Sequence, residues 1–437
     1  MRRTRATAHR IGPKGRLTRP VKLRSTGRAS ALTFCAAILW LAAVATTSAE
    51  GQTFKVLYSF AGYPTDGGGP GAGLLMDASG NLYGTTSYGG NVNGAKCARS
   101  GYVGCGTVFK LDANGVEAPL HNFTGGGDGA TPRSNLIMDA NGDLYGTTTF
   151  GGDTNNCVDT GYAGCGVVFK LSGATETVLH RFSGGGDGAF PEAGVIMDAR
   201  GNLYGTTLES GEFSDGVVFK LAGEKETVLH SFTGGKDGGY VPAGLIMDAK
   251  GNLYGTAAFG GDLKCDYPGG CGVVFKLAGK QLTVLHSFKD SPDGDAPYAA
   301  LLLDPDGNLY GTTASGGEPY GAGTVFEVSA SGKERVLHRF RVNYKVQHDG
   351  EEPQAAVVRD AQGNLYGTTQ AGGPIGGGVV YEITADGKEK ILHDFCTGDC
   401  SDGVFPNGLI IDAQGNLYGT AFGGGVNNSG TIFMITP

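Results

Sequence analysis

The tetrapeptide Leu-Tyr-Gly-Thr occurs seven times in this chain of 437 residues, each time after Asn or Asp, at intervals of 50 to 62 residues. Three other segments recur with it in a constant order, typified by Val-Leu-His-x-Phe, Gly-Leu-Ile-Met-Asp and Gly-Val-Val-Phe-Lys-Leu. A chain made of seven copies of one unit folds by packing each unit against the next. The copies begin at Asn81, Asp143, Asn202, Asn252, Asn308, Asn364 and Asn416.

Each unit contains four short segments rich in β-branched and aromatic residues, which is typical of β-strands. The motif Asp-x-x-Gly-Asn at residues 77–81 predicts a tight hairpin with Gly80 in the left-handed conformation. The 80 glycines exclude a helical solenoid, because each costs about 1 kcal/mol relative to Ala in a helix interior. We therefore predict an all-β, seven-bladed β-propeller of four-stranded blades over residues 50–437. A parallel β-helix, which needs shorter rungs, is the alternative.

The repeat array begins and ends out of phase. The chain enters on a Val-Leu-His-x-Phe-type segment at residues 56–60 and leaves on a Val-Phe-Lys-Leu-type segment at residues 430–435. If the first type forms the outermost strand of each blade, the last blade lacks an outer strand that the start of the chain can supply. We predict that this N-terminal strand closes the ring and hides two sheet edges.

Residues 1–49 carry ten of the 34 Lys and Arg, no Asp or Glu, and an apolar run at residues 29–45. This pattern, with small residues before Glu50, is typical of a secretory signal peptide. We expect cleavage near Ala49 and a secreted or periplasmic protein without membrane contact; an uncleaved anchor is the alternative. In the remainder 24 basic residues face 42 acidic ones, a formal charge of −18, which disfavours nucleic acid as a partner.

The recurring segments, with an Asp-Gly turn and a Pro between the first two, resemble the GloVer tandem repeat of secreted bacterial proteins, a choice-of-anchor repeat family. The resemblance covers about residues 54–437 and implies a propeller-like domain outside the cytoplasm. It supplies no activity to transfer. Anchored members continue beyond the last repeat, whereas this chain stops at Pro437, so we expect release or retention in the periplasm.

In a four-stranded meander the second hairpin and the blade-to-blade connection lie at the same end, and here these loops are the long and variable ones. We expect this end to be the working surface. Eight cysteines fall in local pairs within these loops, and an even number in a secreted chain predicts disulfides rather than a zinc cluster, whose spacing the pairs lack. The predicted disulfides are Cys97–Cys105, Cys157–Cys165, Cys265–Cys271 and Cys396–Cys400.

Six His and one Tyr occupy the same position of the Val-Leu-His-x-Phe strand, and an Asp-Gly turn follows each. A residue present in every blade is seldom a unique catalyst, so we interpret these His as structural. The Asp residues predict Asx turns; calcium ligands are the alternative, although calcium needs six to eight oxygens. We therefore expect no cofactor. The Asp residues are Asp66, Asp128, Asp187, Asp237, Asp293, Asp349 and Asp402.

Ligand-binding residues are expected where the repeats differ. Polar residues that enter the innermost strands would ring the mouth of the central channel, and aromatic residues on the long loops would either stack on a sugar or a partner or fill gaps beneath the loops. The channel-mouth candidates are Arg133, Glu192, Tyr298, Gln354 and Asn407. The loop aromatics are Tyr88, Tyr102, Phe150, Tyr162, Phe259, Tyr267 and Tyr320.

The sequence offers no nucleophile with an adjacent base, so no catalytic residue is assigned. We predict a monomeric binding module that recognises a glycan or a protein surface through its long loops. One alternative is a calcium-dependent propeller hydrolase or lyase that uses Glu192 at the channel. The other is a purely structural role in the cell envelope or extracellular matrix.

Overall fold

The computed structural model describes residues 52–90, 97–99, 102–152, 157–159, 162–265, 269–317, 321–341 and 349–436. Every regular element within these ranges is a β-strand, and Glu50–Pro437 forms one compact unit. In the part of the chain so described, no helix has the length and apolar character needed to cross a membrane. The predicted signal peptide at residues 1–49 lies outside the described residues.

Seven antiparallel sheets of four strands form the blades of a β-propeller, which confirms the predicted fold. Strands are lettered A to D in their order across each sheet. The A strands are Leu75–Met76, Ile137–Met138, Ile196–Met197, Ile246–Met247, Leu302–Leu303, Val358–Arg359 and Val404–Ile411. The B strands are Leu82–Thr86, Leu144–Thr148, Leu203–Thr207, Leu253–Ala257, Leu309–Thr313, Leu365–Thr369 and Leu417–Gly423.

The outer half of each blade is built by longer strands. The C strands are Thr107–Leu111, Val167–Ser172, Val217–Ala222, Val273–Ala278, Gly321–Val328, Val379–Ile383 and Thr431–Thr436. The D strands are Glu117–Asn122, Thr175–Arg181, Lys225–Ser231, Gln281–Ser287, Glu334–Arg341, Glu389–Asp394 and, in blade 7, Thr53–Ser59. Short accessory strands lie in the loops at Gly67–Gly68, Tyr88–Gly89, Ala98–Arg99, Tyr102–Val103, Val158–Asp159, Tyr162–Ala163, Gly350–Glu351 and Ala371–Gly372.

The first strand of the chain closes the ring. Thr53–Ser59 pairs antiparallel with the last strand, Thr431–Thr436, in a register that joins Thr53 to Thr436. Blade 7 is therefore completed by residues from both ends of the repeat array. The prediction of N-terminal closure is confirmed.

The predicted Asp-x-x-Gly-Asn hairpin joins A to B in each blade. At Asp198 the carboxylate accepts the Asn202 backbone N–H at 2.9 Å, the Asn202 side chain at 2.7 Å and the Tyr204 hydroxyl at 3.0 Å. Partial burial raises the pKa of this carboxyl, but these hydrogen bonds outweigh it and hold the pKa at about 2. Gly201 has a φ of +77°, the left-handed conformation that glycine adopts without strain.

Neighbouring blades meet through two sevenfold contacts. The Phe at the end of each D strand packs edge-on against the C-strand aromatic ring of the next blade, with centroids 5.0 to 5.3 Å apart. The Thr of each Leu-Tyr-Gly-Thr motif donates its hydroxyl to a backbone carbonyl of the next blade. Thr420 makes this bond to Ala72 across the closure point, at 2.8 Å.

Arg359 of blade 6 departs from the repeat, and it contacts residues of blade 5. In blades 1 to 4 a C-strand Lys lies 5.4 to 5.6 Å above the ring of the motif Tyr. Blade 5 has Glu327 opposite its motif Tyr310. Arg359 of blade 6 lies over Tyr310 instead, at 5.6 Å, and its guanidinium is 3.8 Å from Asp304. The cation–π contact is thus kept, with its cation supplied by the next blade.

Blade 6 also carries Tyr381 where the other C strands have Phe. The side chain is fully buried, its hydroxyl has no hydrogen-bond partner, and burial raises its pKa. A Cβ at the facing Gly367 would lie 2.3 Å from that hydroxyl oxygen, so only glycine leaves room for it. An unpartnered buried hydroxyl is destabilising.

We expect Tyr381→Phe to raise the free energy of unfolding by about 1 kcal/mol, because it removes the unpartnered hydroxyl and leaves the ring in place. Chemical denaturation followed by circular dichroism measures the change. The reciprocal variant Phe326→Tyr, at the same position of blade 5, should lower the free energy of unfolding. A loss of stability in Tyr381→Phe would contradict this account of the core.

Candidate functional site

One end of the propeller, here called the loop face, comprises the blade-to-blade connections and the hairpins between strands B and C. In every blade a residue of the connection pairs with a residue of the hairpin, as at Ala130 with Phe150 and Ala189 with Glu209. Equivalent pairings join Gly67–Gly68 to Tyr88–Gly89 and Val404 to Gly423. The connections and the B–C hairpins therefore lie at the same end, as the meander argument predicts, and backbone pairing joins them.

Four disulfides hold the loop face, and their pairing is the predicted one: Cys97–Cys105, Cys157–Cys165, Cys265–Cys271 and Cys396–Cys400. Three tie B–C hairpins, and the fourth ties the connection into blade 7. The Cys157–Cys165 bridge also lies against the next connection, since a Cβ at Gly184 would be 2.5 Å from the Cys157 sulfur. Four disulfides indicate an oxidising compartment outside the cytoplasm.

Each blade has a left-handed residue at the start of its Pro-containing turn, with φ between +52° and +60°. This residue immediately precedes the Pro except in blade 4, where Val241 lies between Tyr240 and Pro242. In Phe190 the N–H donates to the Cys165 carbonyl of the preceding blade at 2.9 Å, and the carbonyl accepts from Leu208 of its own blade at 3.1 Å. The left-handed conformation points both groups at partners and so joins two blades. The equivalent residues are Gly69, Thr131, Phe190, Tyr240, Ala296, Glu352 and Phe405.

Four of the five predicted channel-mouth residues occupy equivalent positions, and Asn407 is offset from them by one residue. The carbonyls that accept the motif Thr mark equivalent positions, and four predicted residues immediately precede them: Arg133, Glu192, Tyr298 and Gln354. Asn407 is itself an acceptor, because blade 7 has one residue fewer after its Pro. Its side chain donates to the Pro70 carbonyl at 2.7 Å, across the closure point.

Two of the ring residues face each other across a blade interface. The Arg133 guanidinium lies 3.9 Å from the Glu192 carboxylate, and Arg133 also lies against Gly71 of blade 1. Burial raises the pKa of Glu192, although the Arg133 charge works in the opposite direction. In the connection into blade 6, the Gln354 side chain donates to Glu352 at 3.4 Å. The ring therefore presents mixed charge rather than a cluster of carboxylates.

The predicted loop aromatics divide by burial. Tyr88 and Phe150 are buried, and Phe259 is half-buried and stacks on Tyr240 with ring centroids 4.9 Å apart. These three fit the alternative that the rings fill gaps beneath the loops. Tyr267 and Tyr320 lie outside the described residues. Tyr102 and Tyr162 lie in short strands whose side chains are not described.

The exposed apolar side chains point to residues that the sequence did not single out. Eight large apolar side chains are exposed in the described ranges, and seven of them lie on the loop face. The eighth, Val116, lies in a C–D hairpin at the opposite end. The seven are Tyr63, Val103, Phe213, Leu263, Ile375, Phe405 and Val426. Their only sequence signal is an apolar residue within a long Gly-rich loop.

A family described as the Gloeobacter/Verrucomicrobia repeat matches residues 157–347 and 320–437. The chain belongs to this repeat family. The match confirms the resemblance drawn from the repeated segments. No curated protein matches the chain in sequence.

Solved structures similar to this repeat protein match it at low sequence identity. The extracellular domain of a protein described as a hybrid two-component system of B. thetaiotaomicron has a TM-score of 0.51 and 13% identity, over 88% of this chain and 41% of that one. The chain thus spans about two fifths of that structure's length. A 6-phosphogluconolactonase, so described, of Bacteroides uniformis has a TM-score of 0.45 and 13% identity, over 80% and 89% of the two chains. A luciferin-regenerating enzyme has a TM-score of 0.41 and 14% identity, over 89% and 96%.

The Asp of each repeated Asp-Gly turn faces the His or Tyr of the strand before it. Its carboxylate accepts a backbone N–H from earlier in the chain, as Asp128 does from Thr124 at 2.8 Å, rather than the N–H two residues later that defines the predicted Asx turn. At the closure point Tyr58 donates to Asp66 at 2.9 Å and to Glu117 at 3.5 Å. Burial, and then the charge of Asp66, raise the pKa of Glu117 to about 7. Because the folded chain holds this proton more tightly than the unfolded chain, the group's stabilising effect is present below pH 4.5 and is lost as the pH rises through 7.

We expect Glu117→Gln to raise the melting temperature at pH 8, where the native carboxylate is charged beside Asp66, and to have little effect at pH 4.5. Thermal unfolding at both pH values, with a chelator present, measures the difference. Glu224→Gln, at an exposed position, is the control and should change neither value. Equal effects of Glu117→Gln at the two pH values would contradict the assignment.

Proposed function

We propose that this propeller is a secreted or periplasmic binding module whose loop face docks on a partner protein. The observation that carries the proposal is the concentration of exposed apolar side chains at one end of the molecule. Scattered single apolar residues are ordinary on a protein surface. Seven of the eight exposed large apolar side chains lie at the end that also carries the variable loops. This distribution is expected of a contact surface.

The construction of the loop face supports the same proposal. Disulfides and backbone hydrogen bonds hold the hairpins that carry Phe213, Leu263 and Val426, so little conformational freedom is lost when a partner binds them. The net charge of residues 50–437 argues against nucleic acid and anionic lipid as partners. A protein partner is favoured over a glycan because four of the seven exposed side chains are aliphatic, whereas sugar rings are bound by aromatic faces.

Site-specific photo-crosslinking tests the proposal. A photoreactive amino acid replaces Phe213 in one variant and Val116 in another, and each protein is irradiated with the envelope and secreted fractions of the producing bacterium. We expect a covalent adduct of defined mass from the Phe213 position and none from the Val116 position. Adducts from both positions, or from neither, would count against loop-face docking.

We expect the triple variant Phe213→Ser, Leu263→Ser, Ile375→Ser to bind the crosslinked partner at least about tenfold more weakly, a loss of about 1.4 kcal/mol. Surface plasmon resonance measures the affinity, and Val116→Ser is the matched control. These side chains are about half exposed, so the melting temperature should not change. If the substitutions instead abolish binding to a glycan array, the partner is a carbohydrate.

A hydrolase or lyase is the second proposal, and it rests on Glu192. Its raised pKa and the adjacent Arg133 suit a general acid beside an anionic group. If the protein hydrolyses a lactone or a polysaccharide, Glu192→Gln should abolish that activity without changing the loop-face affinity.

A further inference from the structure

A second set of polar groups lies between the outer strands of neighbouring blades. Each set joins the His or Tyr of one D strand, the Asp of the next Asp-Gly turn and the residue near the start of the following D strand. In four of the seven interfaces these three are His, Asp and Glu. The four clusters are His121–Asp128–Glu176, His180–Asp187–Glu226, His286–Asp293–Glu334 and His338–Asp349–Glu389.

Two further interfaces have an apolar side chain in place of the Glu. Leu282 occupies the Glu position opposite His230, and there the imidazole lies 3.0 Å from Asp237, a direct hydrogen bond. Phe54 occupies it opposite His393, stacks on that ring and leaves it 2.9 Å from Asp402. In the two interfaces without the Glu, the His and Asp are therefore hydrogen-bonded to each other.

The clusters that contain Glu have more unpartnered atoms. In His286–Asp293–Glu334 the His and Asp still form a direct hydrogen bond of 2.9 Å, and only the Glu has a buried oxygen without a partner. The His–Asp separation is 3.4 to 3.8 Å in three of the four, and the Nε2 atoms of those three imidazoles are buried without a hydrogen-bond partner. One carboxylate oxygen of each Glu is also buried and unpartnered. Buried polar atoms normally have a partner, because leaving one unpaired costs about 1–3 kcal/mol. Seven such atoms converge on these four clusters.

We propose that the clusters His286–Asp293–Glu334 and His338–Asp349–Glu389 each bind a zinc-type divalent cation. Their imidazole nitrogens and carboxylate oxygens lie within 4.8 Å of one another. Ligand atoms about 2.1 Å from a tetrahedral ion stand about 3.4 Å apart. His338 Nε2 is 3.5 Å from Glu389 and 3.8 Å from Asp349, so small side-chain movements suffice.

The chemistry of the donors selects the class of ion. One neutral imidazole and two carboxylates supply three ligands and two negative charges, which balance a divalent cation and leave a fourth position for water. Calcium prefers six to eight oxygens and is a poor match. The Arg341 backbone N–H donates to Asp349 at 3.1 Å and orients that carboxylate. The side chains of His286, Asp293, His338, Asp349 and Glu389 are 8 to 21% exposed.

Each ion would join two blades, because the His comes from one D strand and the Glu from the next. The two sites would flank blade 5 on its two sides. The proposal is independent of loop-face docking, since none of the ligands is an exposed apolar residue of the loop face.

Zinc binding to the purified protein tests the proposal. The protein, produced in an oxidising compartment, is stripped with a chelator and titrated with Zn²⁺ alone by isothermal calorimetry, and elemental analysis counts the retained metal. We expect His338→Ala and Glu389→Gln each to lose one equivalent of zinc relative to the unmodified chain. His230→Ala, in an interface that lacks the Glu, should lose none. Zinc should also raise the melting temperature, less so in the two site variants.

Circular dichroism separates loss of a site from loss of the fold, and Glu389→Gln, which changes one atom, guards against misfolding of His338→Ala. The proposal is overturned if the stripped protein retains no zinc near neutral pH. It is also overturned if the folded Glu389→Gln variant retains as much zinc as the unmodified chain.

Discussion

The contact between neighbouring blades is the interaction on which this structure depends. A single four-stranded sheet of this size buries little apolar surface, and the large rings of each blade become fully buried only against the next blade. The D-strand Phe and the C-strand ring, such as Phe123 and Phe169, form the centre of each contact. Because the last contact joins Phe60 to Phe109, every blade has two neighbours and no apolar face is left open. The contact that closes the ring is therefore itself part of the hydrophobic core.

The same dependence explains how the repeats tolerate differences. A change in one blade is compensated by a residue of the neighbouring blade. In blade 5 the C-strand residue opposite Tyr310 is Glu327 instead of Lys, and Arg359 of blade 6 lies over the Tyr310 ring in its place. At the closure interface the substitution is of another kind: Tyr58 replaces the His, and its hydroxyl donates to the carboxylates of Asp66 and Glu117. Substitutions at these positions therefore act in pairs across an interface, and neighbouring sites of this kind are not energetically additive.

The fold could be predicted from the sequence because its evidence is repeated seven times. Strand order, the Asp-x-x-Gly-Asn hairpin, closure by the first strand and the disulfide pairing all follow from phase and spacing along the chain. The candidate site could not be predicted as well. The place of Asn407 depends on one missing residue in blade 7, and the Thr368 hydrogen bond shows on which side of the Asn the register changes. The burial of Tyr88 depends on Phe422, more than 300 residues away in the chain, with the two ring centroids 6.2 Å apart.

The loop face can vary because backbone atoms, rather than side chains, attach it to the scaffold. The left-handed residue at the start of each Pro-containing turn has nearly the same φ whether it is Thr131, Phe190, Tyr240, Ala296 or Glu352. Its N–H and carbonyl make the same two bonds in each case, one to the preceding blade and one within its own. Left-handed backbone is unfavourable for residues other than glycine, so its presence in six non-glycine copies shows that these bonds outweigh the strain. The side chains at this position carry no structural task in common, and it is there that a repeat scaffold can differ from blade to blade without loss of the ring.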